Sequence, residues 1–255
     1  MPGVSMSLGI EGKNGEGERG RMTVMGSLRV IELQLVVFVL VFSASGLVPL
    51  IDIAYSAFVT LYLMAVSRFA FPSHGSVAHK IFEVEESWAF KVYVFVGINV
   101  GLLFPLAYVL GEFGRGDKHG VRSASPHLFL LSFQILTQNV ISSLSLFSPP
   151  VRALVPLMYT IRRIFVDIHW IRNVWLHTIL SSNAHFKDKA WFWFGRVLAV
   201  ANLVYCSINL FGFLIPRFLP RAFNMYFQER EETYAKVAED KRYFVVNNKP
   251  HPLES

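Results

Sequence analysis

The stretch WFWFGRVLAVANLVYCSINLFGFLIP, residues 191–216, decides the fold because it is apolar along nearly its whole length. An α-helix needs about 20 such residues to cross the hydrocarbon core of a bilayer. Trp191 and Trp193 stand at its start, where amphipathic rings suit the headgroup level. The stretch therefore predicts a membrane-spanning helix against which the other helices of the chain pack.

One face of this predicted helix is small and polar. Spacings of three and four residues place on that face Gly195, Ala199, Asn202, Cys206 and Asn209. Small residues let helices approach closely, and amides hydrogen-bond across such contacts. We interpret the face as a helix-packing seam, and we assign a similar role to Gly97 and Gly101, a small-xxx-small pair in an earlier apolar stretch.

The composition favours lipid as the main solvent. Hydrophobic residues make up 53% of the chain and charged residues 16%, with a mean hydropathy of +0.42, whereas soluble domains carry about 25% charged residues. The net charge of +6 comes from loops and tails, which is typical of membrane topology signals and of contacts with anionic lipids. No nucleic-acid-binding motif accompanies that charge, so membrane lipids are the expected partner.

Four further apolar stretches precede residues 191–216. They cover residues 30–48, 53–71, 90–110 and 126–147. The predicted fold class is all-α, a multi-pass transmembrane helical bundle of about five spans. Residues 1–26 are Gly-rich and charged and predict a disordered tail, residues 27–221 form the transmembrane domain, and residues 222–255 form a charged C-terminal tail.

The fourth stretch is the most polar of the set. Its helical face carries His127, Gln134, Gln138 and Ser145. A polar face in lipid must turn toward other helices or toward water. It therefore predicts either bundle packing through hydrogen-bonded amides or a polar path for a small solute. Asp52, at the start of the second stretch, is a candidate for ion coupling or for a helix cap.

Residues 151–180 differ in kind, because their pattern is amphipathic. One stripe holds Ile161, Ile164, Ile168, Ile171 and Trp175, and the opposite face holds Arg162, Arg163, Asp167, Asn173 and His177. Such a helix is predicted to lie in the membrane interface. Arg162 and Arg163 would then contact lipid headgroups, or form salt bridges to acids of a partner or of the same chain.

Topology follows from the number of spans. With five spans the two ends lie on opposite sides, and thirteen Lys and Arg residues against ten place the N-terminus in the cytosol. If residues 151–167 also cross, six spans place both ends in the cytosol.

Four segments of the chain resemble a plant family of uncharacterised multi-pass membrane proteins, a domain of unknown function. They are VFSASGLVPLIDIAYSAFVTLYL with RFAFP, GDKHG with SPHLFLLSFQ, LVPLMYTIRRIFVDIHW, and GRVLAVAN with SINLFGFLIPRFLPRAF. The resemblance implies plant origin and an integral membrane protein. It implies no activity and no functional residue.

Motifs for catalysis are missing from the sequence. It contains no nucleophile elbow, phosphate-binding loop or zinc-protease helix, and the spacing of His74 and His79 does not suit a metal site. We therefore expect no catalytic residue, metal or cofactor, and a function through contacts with lipid, a protein partner or a second copy in an endomembrane. The alternative is a small-solute transporter or channel. The lack of an evident buried charge argues against this alternative.

Overall fold

Helices account for all the regular structure in the computed structural model, which describes residues 33–72, 88–144, 147–176 and 185–247. The all-α prediction is therefore confirmed over these ranges. The predicted tail at residues 1–26, the pair His74 and His79, and Ser145 lie outside the described residues.

Eight α-helices follow one another in the described ranges. They are α1 (Leu33–Ala44), α2 (Leu50–Phe69), α3 (Trp88–Ile98), α4 (Phe104–Arg115), α5 (Lys118–Leu144), α6 (Pro149–Leu176), α7 (Phe186–Ile208) and α8 (Leu219–Asn247). A π-helical turn, Asn99–Leu103, joins α3 to α4, and a longer π-helical segment, Asn209–Phe218, joins α7 to α8. These joins turn two pairs of helices into continuous rods.

Contacts at the two ends of the helical bundle show that successive helices are antiparallel. At one end, which we call the turn end, Arg115 of α4 pairs with Asp188 of α7, and the α1–α2 turn shares a cavity with the start of α5. At the other, the tail end, the Ser148 hydroxyl donates to the Phe71 carbonyl at 2.9 Å, and the Phe71 ring packs against Tyr226 of α8. With each continuous rod counted as one helix, each helix thus runs opposite to the preceding one.

Helix boundaries differ from the predicted ones where local capping intervenes. Gly116, with φ of +74°, ends α4, and the Asp117 side chain accepts hydrogen bonds from the His119 and Gly120 backbone amides. This cap starts α5 eight residues before the predicted start at Pro126. The helix α6 runs unbroken through Pro156.

The helix α6 lies at the centre of the bundle and packs against α2, α5, α7 and α8. Among its residues, Tyr159, Asp167 and Trp170 are completely buried. The predicted interfacial helix is therefore wrong, because residues 161–176 are part of an interior helix.

The two faces of α6 also have the reverse orientation to the one expected at an interface. Ile161, Phe165 and Ile168 are 36%, 60% and 42% exposed, whereas Arg163 and Asp167 are 3% and 0% exposed. Lipid solvates isoleucine but cannot hydrogen-bond to a charged group, so charges inside a membrane bundle turn toward protein partners.

Three helical segments of the described chain are long and apolar enough to cross a membrane. They are Leu50–Phe69, Lys91–Arg115 and Phe186–Glu239, and α1 is apolar but shorter. The expected count of five spans is thus not supported by length and composition. The helices α5 and α6 fall short because they carry polar residues, many of which are buried against neighbouring helices.

Candidate functional site in the bundle interior

Two charged residues of α6 enter the bundle interior. Arg163 and Asp167 are four residues apart, so they lie one above the other on the same helical face. That face is directed at α5 and at the π turn between α3 and α4. Burial of two charges at this depth requires partners, and the neighbouring helices supply them.

His127 of α5 is placed between these two side chains. Its Nδ1 atom is 2.6 Å from Asp167 Oδ1, and its Nε2 atom is 3.2 Å from a terminal nitrogen of the Arg163 guanidinium. The His127 and Asp167 side chains have no exposed surface. We call His127, Arg163 and Asp167 the ionic cluster.

The Gly101 carbonyl is a further neighbour of His127, with its oxygen 3.1 Å from Nε2. In a regular α-helix this carbonyl would accept a hydrogen bond from the residue four positions later. That residue is Pro105, which has no N–H to donate. The carbonyl is therefore free to turn toward His127.

These neighbours give His127 two ways to satisfy Nε2. Because the Asp167 carboxylate can only accept, Nδ1 donates to it. A neutral ring then leaves Nε2 with a lone pair that accepts from Arg163, whereas a protonated ring carries an Nε2–H that donates to Gly101. Nε2 therefore has a hydrogen-bond partner in either form of the ring.

Several buried polar atoms of this region have no protein partner. They include Arg163 Nε, Asp167 Oδ2, Trp170 Nε1 and Asn202 Oδ1. An unsatisfied buried polar group costs about 1–3 kcal/mol. Such atoms are suited to bind internal water or a small polar solute.

Further buried polar groups extend from the ionic cluster along the α5–α6 contact. Gln134 Oε1, the Tyr159 hydroxyl and the Thr160 hydroxyl are also buried without a hydrogen-bond partner. The hydroxyls of Ser56, Thr60 and Thr137 lie close to Tyr159, yet none bonds to it in the observed geometry. We call this row from the ionic cluster to Tyr159 the polar column.

The predicted polar path coincides in part with this column. His127 and Gln134 are buried and Gln138 is half-buried, while Ser145 lies outside the described residues. Sequence reasoning did not identify Arg163 and Asp167 as interior residues, because it assigned their helix to the interface. The four-residue spacing of Arg163 and Asp167 was the sequence signal that places both on one helical face.

The predicted packing seam lies in the interior. Gly195 faces the Tyr108 ring so closely that a Cβ atom there would be 2.6 Å from it, and Ala199, Asn202 and Cys206 are buried. The Cys206 thiol lies near Asp167 and Arg163, so the seam borders the ionic cluster.

The remaining seam residues contact tyrosines. Asn209 accepts a hydrogen bond of 2.8 Å from the Tyr93 hydroxyl. Gly97 faces the Tyr205 hydroxyl, which occupies the space that a side chain would need.

Arg162, unlike Arg163, is part of a second ion pair. Its Nε and a terminal nitrogen both lie 2.8 Å from Asp52 Oδ1. Asp52 is 2% exposed and lies inside α2, where it makes no side-chain cap. Since the Arg162 side chain is 23% exposed, its contact with headgroups stays a prediction, whereas buried Arg163 contacts protein.

No group of three or more His, Cys, Asp or Glu side chains within the described ranges is placed to hold a metal ion. In the ionic cluster the Arg163 guanidinium already supplies the positive charge that faces His127. The arrangement therefore suits proton or polar-solute binding better than metal binding.

A family model matches residues 26–227, and its description is Domain of unknown function (DUF7733). The chain belongs to the DUF7733 family. The matched region contains the ionic cluster, the polar column and both π-helical segments. The predicted domain of unknown function is thereby confirmed for this DUF7733 chain, and its plant origin stays a prediction. No curated protein and no solved structure matches it.

Proposed function

We propose that the chain is a multi-pass membrane protein in which six rods cross an endomembrane. The rods are α1, α2, α3 with α4, α5, α6, and α7. Their antiparallel order supports this arrangement, as do the many large apolar side chains exposed on the outer surface, among them Leu40, Leu61, Phe95 and Val197. The polar residues of α5 and α6 do not argue against a membrane crossing, because many of them are buried against neighbouring helices.

The distribution of basic residues supports placing the tail end in the cytosol. The six proposed crossings assign fifteen of them to the side of the tail end: Lys13, Arg19, Arg21, Arg29, Arg68, Lys80, Lys91, Arg152, Arg217, Arg221, Arg230, Lys236, Lys241, Arg242 and Lys249. Six belong to the turn end: Arg115, Lys118, Arg122, Arg172, Lys187 and Lys189. This asymmetry exceeds the thirteen against ten of the five-span arrangement.

For the activity, we infer passage of protons through the bundle interior, coupled to the membrane potential and without catalysis. The ionic cluster carries this inference, because ionisable residues inside a membrane mark proton and solute routes. Gly101 lies near the middle of the apolar segment Lys91–Arg115, and Cys206 lies within the apolar stretch 191–216, which supports a position of the cluster deep in the bilayer in this arrangement. The polar column provides a continuation toward the cytosolic tail end.

The test is proton flux into liposomes that contain the purified protein and a pH-sensitive dye. Under an imposed membrane potential we expect flux above that of protein-free liposomes. Asp167→Asn and His127→Gln should each reduce it at least tenfold. Asp188→Asn, which alters an exposed ion pair at the turn end, is the matched control and should leave flux unchanged.

Flux equal to that of protein-free liposomes would refute proton coupling. The folded fraction of each variant is measured by gel filtration, and flux is normalised to it.

A second function, binding of a protein partner or a second copy, is favoured by the distal part of α8. This helix carries many charges and leaves most residues beyond Phe227 exposed, including Tyr234 and Val237 at 61% and 47%. A photo-crosslinker at Tyr234 should then capture another chain in membranes, whereas one at lipid-facing Phe95 should not. Equal yields at both positions would count against this function.

A further inference from the structure

A half-open cavity of ≈600 Å³ lies at the turn end, away from the ionic cluster. The α1–α2 turn forms one wall, the first turn of α5 another, and the last turns of α6 the third. This volume falls within the range of about 300–1,000 Å³ that is usual for small-molecule sites.

The lining has an apolar side and a cationic side. The apolar side consists of the α1–α2 turn and the start of α2, with Leu47, Val48 and Ile53. His119, Arg122 and His169 line the other side, with the Asn173 amide beside them, and no Asp or Glu belongs to the lining. A ligand with a negative end and an apolar end would match both sides.

The cationic side is available for a ligand. Arg122 is exposed and forms no ion pair with any residue that the structure describes. Three carboxylates near the cavity have other partners. Asp52 binds Arg162, Asp117 accepts from the backbone at the start of α5, and Glu112, which lies against Gly120, accepts from Trp191 Nε1. Thus no acid of the described chain neutralises Arg122.

The position of the cavity favours an amphiphile. The α1–α2 hairpin turns at the level of His169 and Asn173, before α6 ends at Leu176. The recess left by this short hairpin lies near the ends of the other rods, where headgroups meet acyl chains. This step rests on the membrane arrangement proposed above, and not on proton flux.

We propose that this cavity binds the phosphate group of an anionic phospholipid, with the start of an acyl chain against Leu47 and Val48. A guanidinium binds phosphate oxygens through paired, charge-assisted hydrogen bonds. Imidazole and amide N–H groups supply further donors. Inorganic phosphate shares the recognised group but cannot contact the apolar side, so the lipid binds more tightly.

The test is lipid binding to the full-length protein in detergent, measured by native mass spectrometry. The probes are dioleoyl phosphatidic acid, dioleoylglycerol, which has no phosphate, and inorganic phosphate. We expect phosphatidic acid to bind at least tenfold more tightly than either of the others. Arg122→Gln should weaken its binding about tenfold, and so should Asn173→Asp, which adds a negative charge to the lining.

Arg172→Gln is the matched control, since Arg172 is an exposed cation of α6 outside the cavity. It should leave binding unchanged. Equal weakening by Arg122→Gln and Arg172→Gln would overturn the site in favour of general surface attraction. Inorganic phosphate that displaces phosphatidic acid at equal concentration would overturn the assignment of a lipid. Binding is measured without a flux assay, so failure of proton coupling would not imitate either result.

Discussion

Asp167 is a fully buried carboxylate whose two oxygens have different surroundings. Oδ1 contacts the His127 ring, and Oδ2 has no hydrogen-bond partner. The nearby Arg163 supplies the opposite charge, so the ionic cluster stays close to neutral while His127 is neutral. Each of these three residues therefore depends on the other two for its burial.

Replacement of Asp167 should expose that dependence. Asp167→Asn keeps the shape but leaves Arg163 as an uncompensated buried charge, which should lower the free energy of unfolding by about 3–5 kcal/mol. Thermal unfolding in detergent measures the effect. Asp188→Asn breaks an exposed pair and should cost no more than about 1 kcal/mol. Similar losses in both variants would mean that the cluster does not contribute as a buried ion pair.

At a glycine of the seam, stability should be sensitive to an added side chain rather than to a removed charge. Gly195→Ala places a methyl group 2.6 Å from Tyr108, whose ring is stacked on Trp191, and such overpacking costs about 1–3 kcal/mol. Gly212→Ala in the same long helix meets its nearest atom at 3.8 Å and should be nearly neutral. Unfolding midpoints that fall equally would exclude close packing as the reason for glycine at position 195.

At the scale of elements, the π turn between α3 and α4 connects helix geometry to the ionic cluster. Pro105 withholds the N–H that Gly101 would otherwise accept, and His127 is near the freed carbonyl. The sequence contained this signal as a glycine four residues before a proline. The partner helix was not predictable, because the contact joins residues 26 positions apart.

A double-mutant cycle tests that connection. Pro105→Ala restores an N–H and should stabilise the helix, but less in the native protein than in His127→Leu, where the Gly101 carbonyl has no other partner. We expect a coupling of about 0.5–3 kcal/mol between the two positions in thermal unfolding. Pro216→Ala in the second π-helical segment serves as control, with coupling to His127→Leu near zero. Independent effects at positions 105 and 127 would disprove the connection.

The element that sequence reasoning placed wrongly is α6, and the reason is physical. Its pattern shows that two faces differ in polarity, but a pattern does not state which face is inside. Water favours the polar face outside, whereas lipid favours it inside. The predicted seam on α7 does not depend on that choice, because small residues on an apolar rod suit helix contacts in either solvent.

At the scale of the whole molecule, the antiparallel order of six rods predicts a definite topology. Tags at the N-terminus and the C-terminus should both face the cytosol, and a tag at residues 115–120 should face the other side. Protease protection and glycosylation mapping in microsomes report these positions. Ends on opposite sides would contradict six crossings.

The rod that begins at Phe186 and continues to Glu239 is 54 residues long, or about 80 Å at 1.5 Å per residue. The hydrocarbon core of a bilayer is only about 30 Å thick. In the proposed topology the α8 part, 29 residues and about 44 Å long, therefore extends beyond the bilayer as a lever arm on the cytosolic side. A tilt of about 10° at Cys206, which is about 60 Å along the rod from the tip at Asn247, would sweep that tip through roughly 11 Å. Small adjustments beside Cys206 would thus become displacements large enough for another molecule in the cytosol to detect.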